Sequence, residues 1–144
     1  MKSIARITVV IATLAAALTL AAGGGASAPL DQFAGAWRGV EFPVGDGSTD
    51  YMLIGKPGAD GRRYYIAYET GASFCGGSPL SPLASAGFAY SAGNQLTVTI
   101  TTAYCFNGSP GAFPLPVDAT MTATADGHID AGGVIFSRLW SDAH

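Results

Sequence analysis

Along residues 95–101 the side chains alternate strictly. Leu96, Val98 and Ile100 are separated by Gln95, Thr97, Thr99 and Thr101, the period-two pattern of a strand with one face in a core and one in water. Shorter runs rich in Thr, Tyr, Val and Ile recur from residue 37 onward, broken by Gly, Pro, Asp and Asn. They predict strands at 37–42, 51–56, 63–70, 83–91, 95–106, 118–124, 128–130 and 134–139. The 8 prolines all fall outside or at the edges of these runs, as hydrogen-bonded strands require. Asp60-Gly61, Gly93-Asn94, Asp126-Gly127 and Gly132-Gly133 supply turn residues between neighbours. Two longer Pro/Gly-rich stretches, 71–82 and 107–116, read as loops.

Eight short antiparallel strands joined mostly by hairpin-sized links predict an all-β chain. The expected form is an eight-stranded up-and-down barrel; a small β-sandwich is the alternative. Sorting each strand by apolarity places Tyr64, Ile66, Tyr68, Phe88, Tyr90, Leu96, Val98, Ile100 and Met121 inside. Arg63, Tyr65, Ala67 and Glu69 then face solvent. A narrow barrel fills most of its interior with its own side chains, and the small inward set Ala119, Met121 and Ala123 marks where room would be left.

Residues 1–28 break the pattern. Lys2 and Arg6 precede an uncharged apolar run from Ile7 to Ala22, too short for a comfortable membrane span, and Ala26 and Ala28 have the spacing of a signal-peptidase site. The expectation is a secretory signal at 1–28 and a single mature domain at 29–144, secreted or held in the cell envelope, with no stable membrane insertion after cleavage. The Ala/Gly-rich leader has a bacterial character. Of the 7 basic residues two leave with the leader, so five face 10 acidic ones. That balance argues against nucleic acid and anionic membranes as partners. The pair Arg62-Arg63 reads as a solvated turn.

Cys75 and Cys105 are the only cysteines, and an even count behind a secretory leader predicts a disulfide. In a meander the third and fifth strands run the same way, so Cys75, after the third, and Cys105, at the end of the fifth, share one end of the barrel. The loop at 71–82 is long enough to cross the intervening strand.

Gly35-Ala36-Trp37 at the first strand, led in by Leu30 to Ala34, resembles the Gly-x-Trp opening of lipocalins and the wider calycin group. Arg138 in "VIFSRLW" sits where that group carries a basic residue on the last strand. The resemblance implies a barrel-closing contact of Arg138 across the Trp37 ring. The chain is also similar, more loosely, to small secreted bacterial β-domains with a Gly-x-Trp opening and one disulfide.

Candidate chemistry is sparse. His128 lies beside a turn and His144 at the end of the chain, so neither has the setting of a general base. "DGHID" at 126–130 is a better hairpin than a metal or catalytic loop. Glu41, Glu69 and the aspartates offer no obvious pair, and Asn107-Gly108-Ser109 reads as a turn. No cofactor, metal or catalytic residue is expected. The reading is a non-enzymatic secreted barrel that binds a small apolar ligand through Tyr64, Tyr68, Phe88, Tyr90, Leu96, Val98, Ile100 and Met121. The alternative is an extracellular interaction protein that contacts a protein or glycan through its disulfide-braced loops.

Overall fold

The computed structural model of the protein describes residues 31–42, 45–110 and 114–140; the leader read at residues 1–28 lies outside them. Eight strands follow in chain order: β1 (Gly35–Val40), β2 (Thr49–Ile54), β3 (Arg63–Glu69), β4 (Leu83–Ala92), β5 (Gln95–Cys105), β6 (Val117–Ala123), β7 (Ile129–Ala131) and β8 (Val134–Trp140). Each pairs antiparallel with the next, and β8 returns to pair with β1. The fold is therefore a closed eight-stranded antiparallel barrel, and the sandwich is set aside. Strand ends lie within two residues of the sequence expectation. The clearest local addition is a 3-10 turn at Ser73–Cys75 inside the long loop before β4.

Closure depends on two glycines. The β4–β5 register shifts between Ala86 and Gly87, and a Cβ on Gly87 would lie 1.9 Å from the Thr99 carbonyl oxygen. Only a residue without a side chain permits that approach, and the bulge bends the two longest strands around the barrel. Gly35 opens β1 with φ +137°, a conformation that L side chains rarely adopt.

One end of the barrel is plugged by the segment 31–34. Phe33 and Trp37 are fully buried, and the Trp37 indole N–H donates to the Phe33 carbonyl at 2.8 Å. The Arg138 guanidinium lies 4.3 Å from the Trp37 ring centroid. It donates to the carbonyls of Ala34 (2.8 Å), Asp31 (3.1 Å) and Gln32 (2.8 Å). Asp31 in turn accepts from the backbone N–H groups of Phe33 and Ala34. The last strand thus ties down the chain's entry into the first. Above this plug Ile54, Leu96, Val98 and Ile129 fill the interior.

At the opposite end Cys75 and Cys105 form a disulfide with Cα atoms 5.6 Å apart. It packs with Ala72 and Leu83 into a second small core. Asn107 ties the same region together, donating from its side chain to the Cys75 carbonyl at 3.0 Å and from its backbone to Ser81 Oγ at 3.0 Å.

Strand β3 has the opposite orientation to the one expected from its sequence. Alternation separates two faces without saying which points inward, and sorting by apolarity selects the wrong one. Met52 and Ile54 point into the core and pair with Ala67 and Tyr65, which turns Tyr65, Ala67, Arg63 and Glu69 inward. Tyr64 is 77% exposed, and Ile66 and Tyr68 also lie on the outer face. The same register carries to β4, where Arg63 pairs with Ala89 and Tyr64 with Phe88. Phe88 and Tyr90 therefore sit outside, their rings edge to face at 6.0 Å. Arg63 is 5% exposed and no solvated turn. Its burial is tolerable because its guanidinium is paired to Asp31 Oδ2 (2.6 Å), the Gly55 carbonyl (3.1 Å) and Ser91 Oγ (3.2 Å). Arg62 alone remains in water, 3.6 Å from Asp60.

Candidate functional site

The inverted β3 places a charge at each end of the barrel. Arg63 meets Asp31 at the plugged end. Glu69 emerges at the other end, where its direct cross-strand partner is Asp50 of β2. Glu41, just past β1, joins them. Its backbone N–H donates to the Ser48 carbonyl at 2.9 Å, and its Oε2 accepts from the Asp46 backbone N–H at 3.1 Å. Carboxylate oxygens of Glu41, Asp50 and Glu69 lie within 4.8 Å of one another. Ser48 Oγ donates to Glu69 Oε1 at 3.3 Å, whereas Asp50 Oδ1 is shut off from solvent with no hydrogen-bond partner among the described residues.

Like charges directly opposed across two strands repel, and partial burial adds to the effect. Burial first, then the Glu41 and Asp46 charges and a hydrogen bond shared with Glu41, push the Asp50 carboxyl up to about 6. Burial followed by Asp50, Glu41 and Asp46 raises Glu69 to about 7, against a small opposing effect of the Ser48 hydrogen bond. The plugged end behaves oppositely. Burial alone would raise Asp31, but the hydrogen bonds from Arg63, Phe33 and Ala34 outweigh it and hold the carboxyl below its ordinary range.

Beneath the carboxyl cluster the barrel holds a cavity of about 320 Å³. Its walls include Met52, Ala67 and Phe74 on one side and Ala119, Val134 and Phe136 on another. Phe74 comes from the 3-10 turn beside the disulfide, so the cross-link also fixes part of the cavity wall. Two hydroxyl-bearing residues line it as well, Tyr65, 5% exposed, and Ser85, 8% exposed. Neither hydroxyl has a hydrogen-bond partner among the described residues. Burial, then the charge of Asp50, raises the Tyr65 phenol above its ordinary value. The lining contains no Lys, Arg or His among the described residues.

Of the residues proposed from sequence to line a ligand site, Ile100 and Met121 do line this cavity. Leu96 and Val98 point inward but belong to the packed half. Tyr68 reaches the cavity's rim while its ring lies against Phe106, edge to face at 6.0 Å. Tyr64, Phe88 and Tyr90 are on the outer wall, for the register reason given above. The expectation of a filled interior holds for the plugged half and fails for the open half, where Ala67, Ala119 and Ala131 leave space.

The 126–130 segment is a hairpin in structure as in sequence. His128 Nδ1 lies 3.1 Å from Asp126 Oδ2, and Asp130 instead accepts from the Gly133 backbone N–H at 2.7 Å. Sequence reasoning did not bring Glu41, Asp50 and Glu69 together. The available signal was the alternation continuing from Ile54 and Met52 back to Asp50, which puts that carboxyl on the core face. No protein-family model, curated protein or solved structure matches the chain.

Proposed function

We propose that the protein is a secreted, non-enzymatic binding protein that takes a small, mainly apolar molecule into the open half of its barrel. The observation that carries this reading is the cavity of about 320 Å³ lined chiefly by apolar side chains, inside the size range of small-molecule sites. The cavity has rigid walls on most sides, since every strand around it is paired on both edges, so little ordering is required on binding. The disulfide and the apolar leader support an extracellular location.

Native mass spectrometry of protein purified from culture supernatant tests the reading, together with uptake of the neutral fluorescent probe N-phenyl-1-naphthylamine. An added mass that organic extraction removes, or probe uptake that Ala119→Phe blocks, is the expected result. Bare protein that takes up no probe overturns it.

A second reading, an extracellular partner of a protein or glycan, rests on the outer wall. Leu53, Tyr64, Ile66, Leu139 and Trp140 form an exposed apolar face across β2, β3 and β8, larger in character than scattered surface residues. Probe fluorescence lost with Trp140→Ser and retained with Ala119→Phe assigns binding to this wall instead of the cavity.

A further inference from the structure

We propose that the mouth of the barrel is a cation site, in which Glu41, Asp50 and Glu69 hold the ammonium group of a small organic amine whose hydrocarbon part fills the cavity below. The inference rests on the cavity being a ligand site and adds the charge and shape of what enters it.

Three carboxyl groups whose oxygens lie within 4.8 Å of one another form an acceptor-rich rim. Asp46 adds a further negative charge nearby, and no basic side chain among the described residues lines the cavity. Cross-strand pairing places Asp50 and Glu69 side by side, and Glu41 is held in place from behind by the Asp46 backbone N–H. A protein that only needed a soluble rim would gain nothing from converging these carboxyls over an apolar hollow.

A second, independent observation comes from inside the cavity. Tyr65 and Ser85 are more than nine-tenths buried and present hydroxyls to the cavity with no hydrogen-bond partner among the described residues. Buried polar groups are ordinarily paired, and Asp50 Oδ1 is unpaired as well. A donor brought to the rim satisfies Asp50 Oδ1, and the two hydroxyls, each able to donate as well as accept, give the same end of the barrel polar partners for a ligand.

An alkylammonium fits this arrangement better than a metal ion. Its three N–H donors match three carboxyl acceptors, and its hydrocarbon part meets Met52, Phe74 and Phe136. Calcium needs six to eight oxygen ligands and magnesium a nearly complete octahedron; three carboxyl groups supply only part of either shell, and a hydrated ion makes no use of the apolar walls. A carboxylate-bearing ligand would meet three like charges with no compensating base. The choice of cation is thus set by the apolar walls, and the exclusion of anions by the rim.

The test compares three probes on one hydrocarbon frame by calorimetry at about pH 8, using 2-phenylethylamine, 2-phenylethanol and 3-phenylpropanoate. Charge-assisted hydrogen bonds in a half-buried setting predict the amine to bind about tenfold tighter than the alcohol, with the anion weakest. Asp50→Asn and Glu69→Gln should each remove most of the amine's advantage and leave alcohol binding unchanged. Both substitutions relieve repulsion, so a thermal melt no lower than that of the parent protein shows that folding is intact. Tyr65→Phe, which keeps the rim charge, should retain the preference for the amine. The preference should shrink by about pH 5, where Asp50 and Glu69 regain protons while Glu41 and Asp46 remain near them.

An amine that binds no tighter than the alcohol, or whose advantage survives both rim substitutions, overturns the cation site. So does stabilisation by calcium or magnesium chloride alone without amine preference, which would make the rim a metal site. If the alcohol or N-phenyl-1-naphthylamine still enters, the cavity reading survives that failure. If nothing enters, both readings fall.

Discussion

The carboxyl rim should make the protein less stable as the pH rises toward neutrality. Asp50 moves from an ordinary 3.8 to about 6 and Glu69 from 4.5 to about 7 on folding. A raised carboxyl pKa means that the folded chain binds protons more tightly than the unfolded chain. Between about pH 4 and pH 7 the native state therefore carries more protons, and stability falls as they leave. Below that window both states are protonated and the penalty vanishes. Asp31 has the opposite sign: its lowered pKa gives stability that is present above its ordinary value and lost in acid. The two effects together place the stability maximum near about pH 4 to 5.

The size follows from the same shifts. Moving one carboxyl from 3.8 to about 6 corresponds to about 3 kcal/mol at face value. Each rim carboxyl is partly exposed at the barrel mouth, so water screens much of this, and about 1 kcal/mol per group, about 2 for the pair, is expected. For a domain of this length that shifts a urea midpoint by about 1 M. Urea titrations at about pH 4.5 and about pH 7.5, followed by tryptophan fluorescence, read the difference directly. Glu69→Gln should halve it and raise the neutral-pH midpoint. A midpoint equal or higher at neutral pH, unchanged by Glu69→Gln, would refute the claim that the rim is electrostatically strained.

Other outcomes check the scaffold. Arg138→Ala and Trp37→Phe should couple in a double-mutant cycle by about 1 kcal/mol, because the guanidinium sits on the ring while its donors hold the plug; additive losses in chemical denaturation would exclude that contact. Replacing Cys75 and Cys105 by Ser opens a loop with a sequence separation of 30 and should lower stability by about 3.5 to 4 kcal/mol, with refolding after reduction as the simplest comparison. Tyr64→Ser, on the outer wall, should change stability by less than about 0.5 kcal/mol, while Tyr65→Ala, in the core, should lose at least about 3. The reverse order would restore the apolar face of β3 to the interior.

Strand positions were legible because they depend on local signals. Prolines and Asp-Gly or Gly-Gly pairs punctuate the chain, and Leu96, Val98 and Ile100 keep a clean alternation. Eight strands with short links limited the topology, and two cysteines, one following β3 and one closing β5, strands of like direction, agreed with a meander. The face of β3 was not legible. Tyr64, Ile66 and Tyr68 make a more apolar set than Arg63, Tyr65, Ala67 and Glu69, yet the pairing of Met52 with Ala67 and Ile54 with Tyr65 fixes the orientation. That information belongs to β2 and cannot be read from β3 alone. The rim was hidden for the same reason, since Glu69 lies on the face assigned to water and Asp50 on a strand that begins two residues earlier than expected.

The two ends of the barrel handle charge in opposite ways. At the plugged end opposite charges meet: Asp31 takes Arg63 and two backbone N–H groups, and Arg138 takes three carbonyls and an indole face, although Arg63 Nε has no hydrogen-bond partner among the described residues. Such pairing lowers the Asp31 pKa and joins both ends of the chain. At the open end like charges converge, the Asp50 and Glu69 pKa values rise, and hydroxyls beneath them lack partners among the described residues. A stretch of fold that served stability alone would not gather unpaired acceptors over an apolar hollow, because burying such groups without a partner is unfavourable. Electrostatic strain tolerated at the open mouth and relieved at the plugged end is what supports the proposal that a cationic ligand completes the rim.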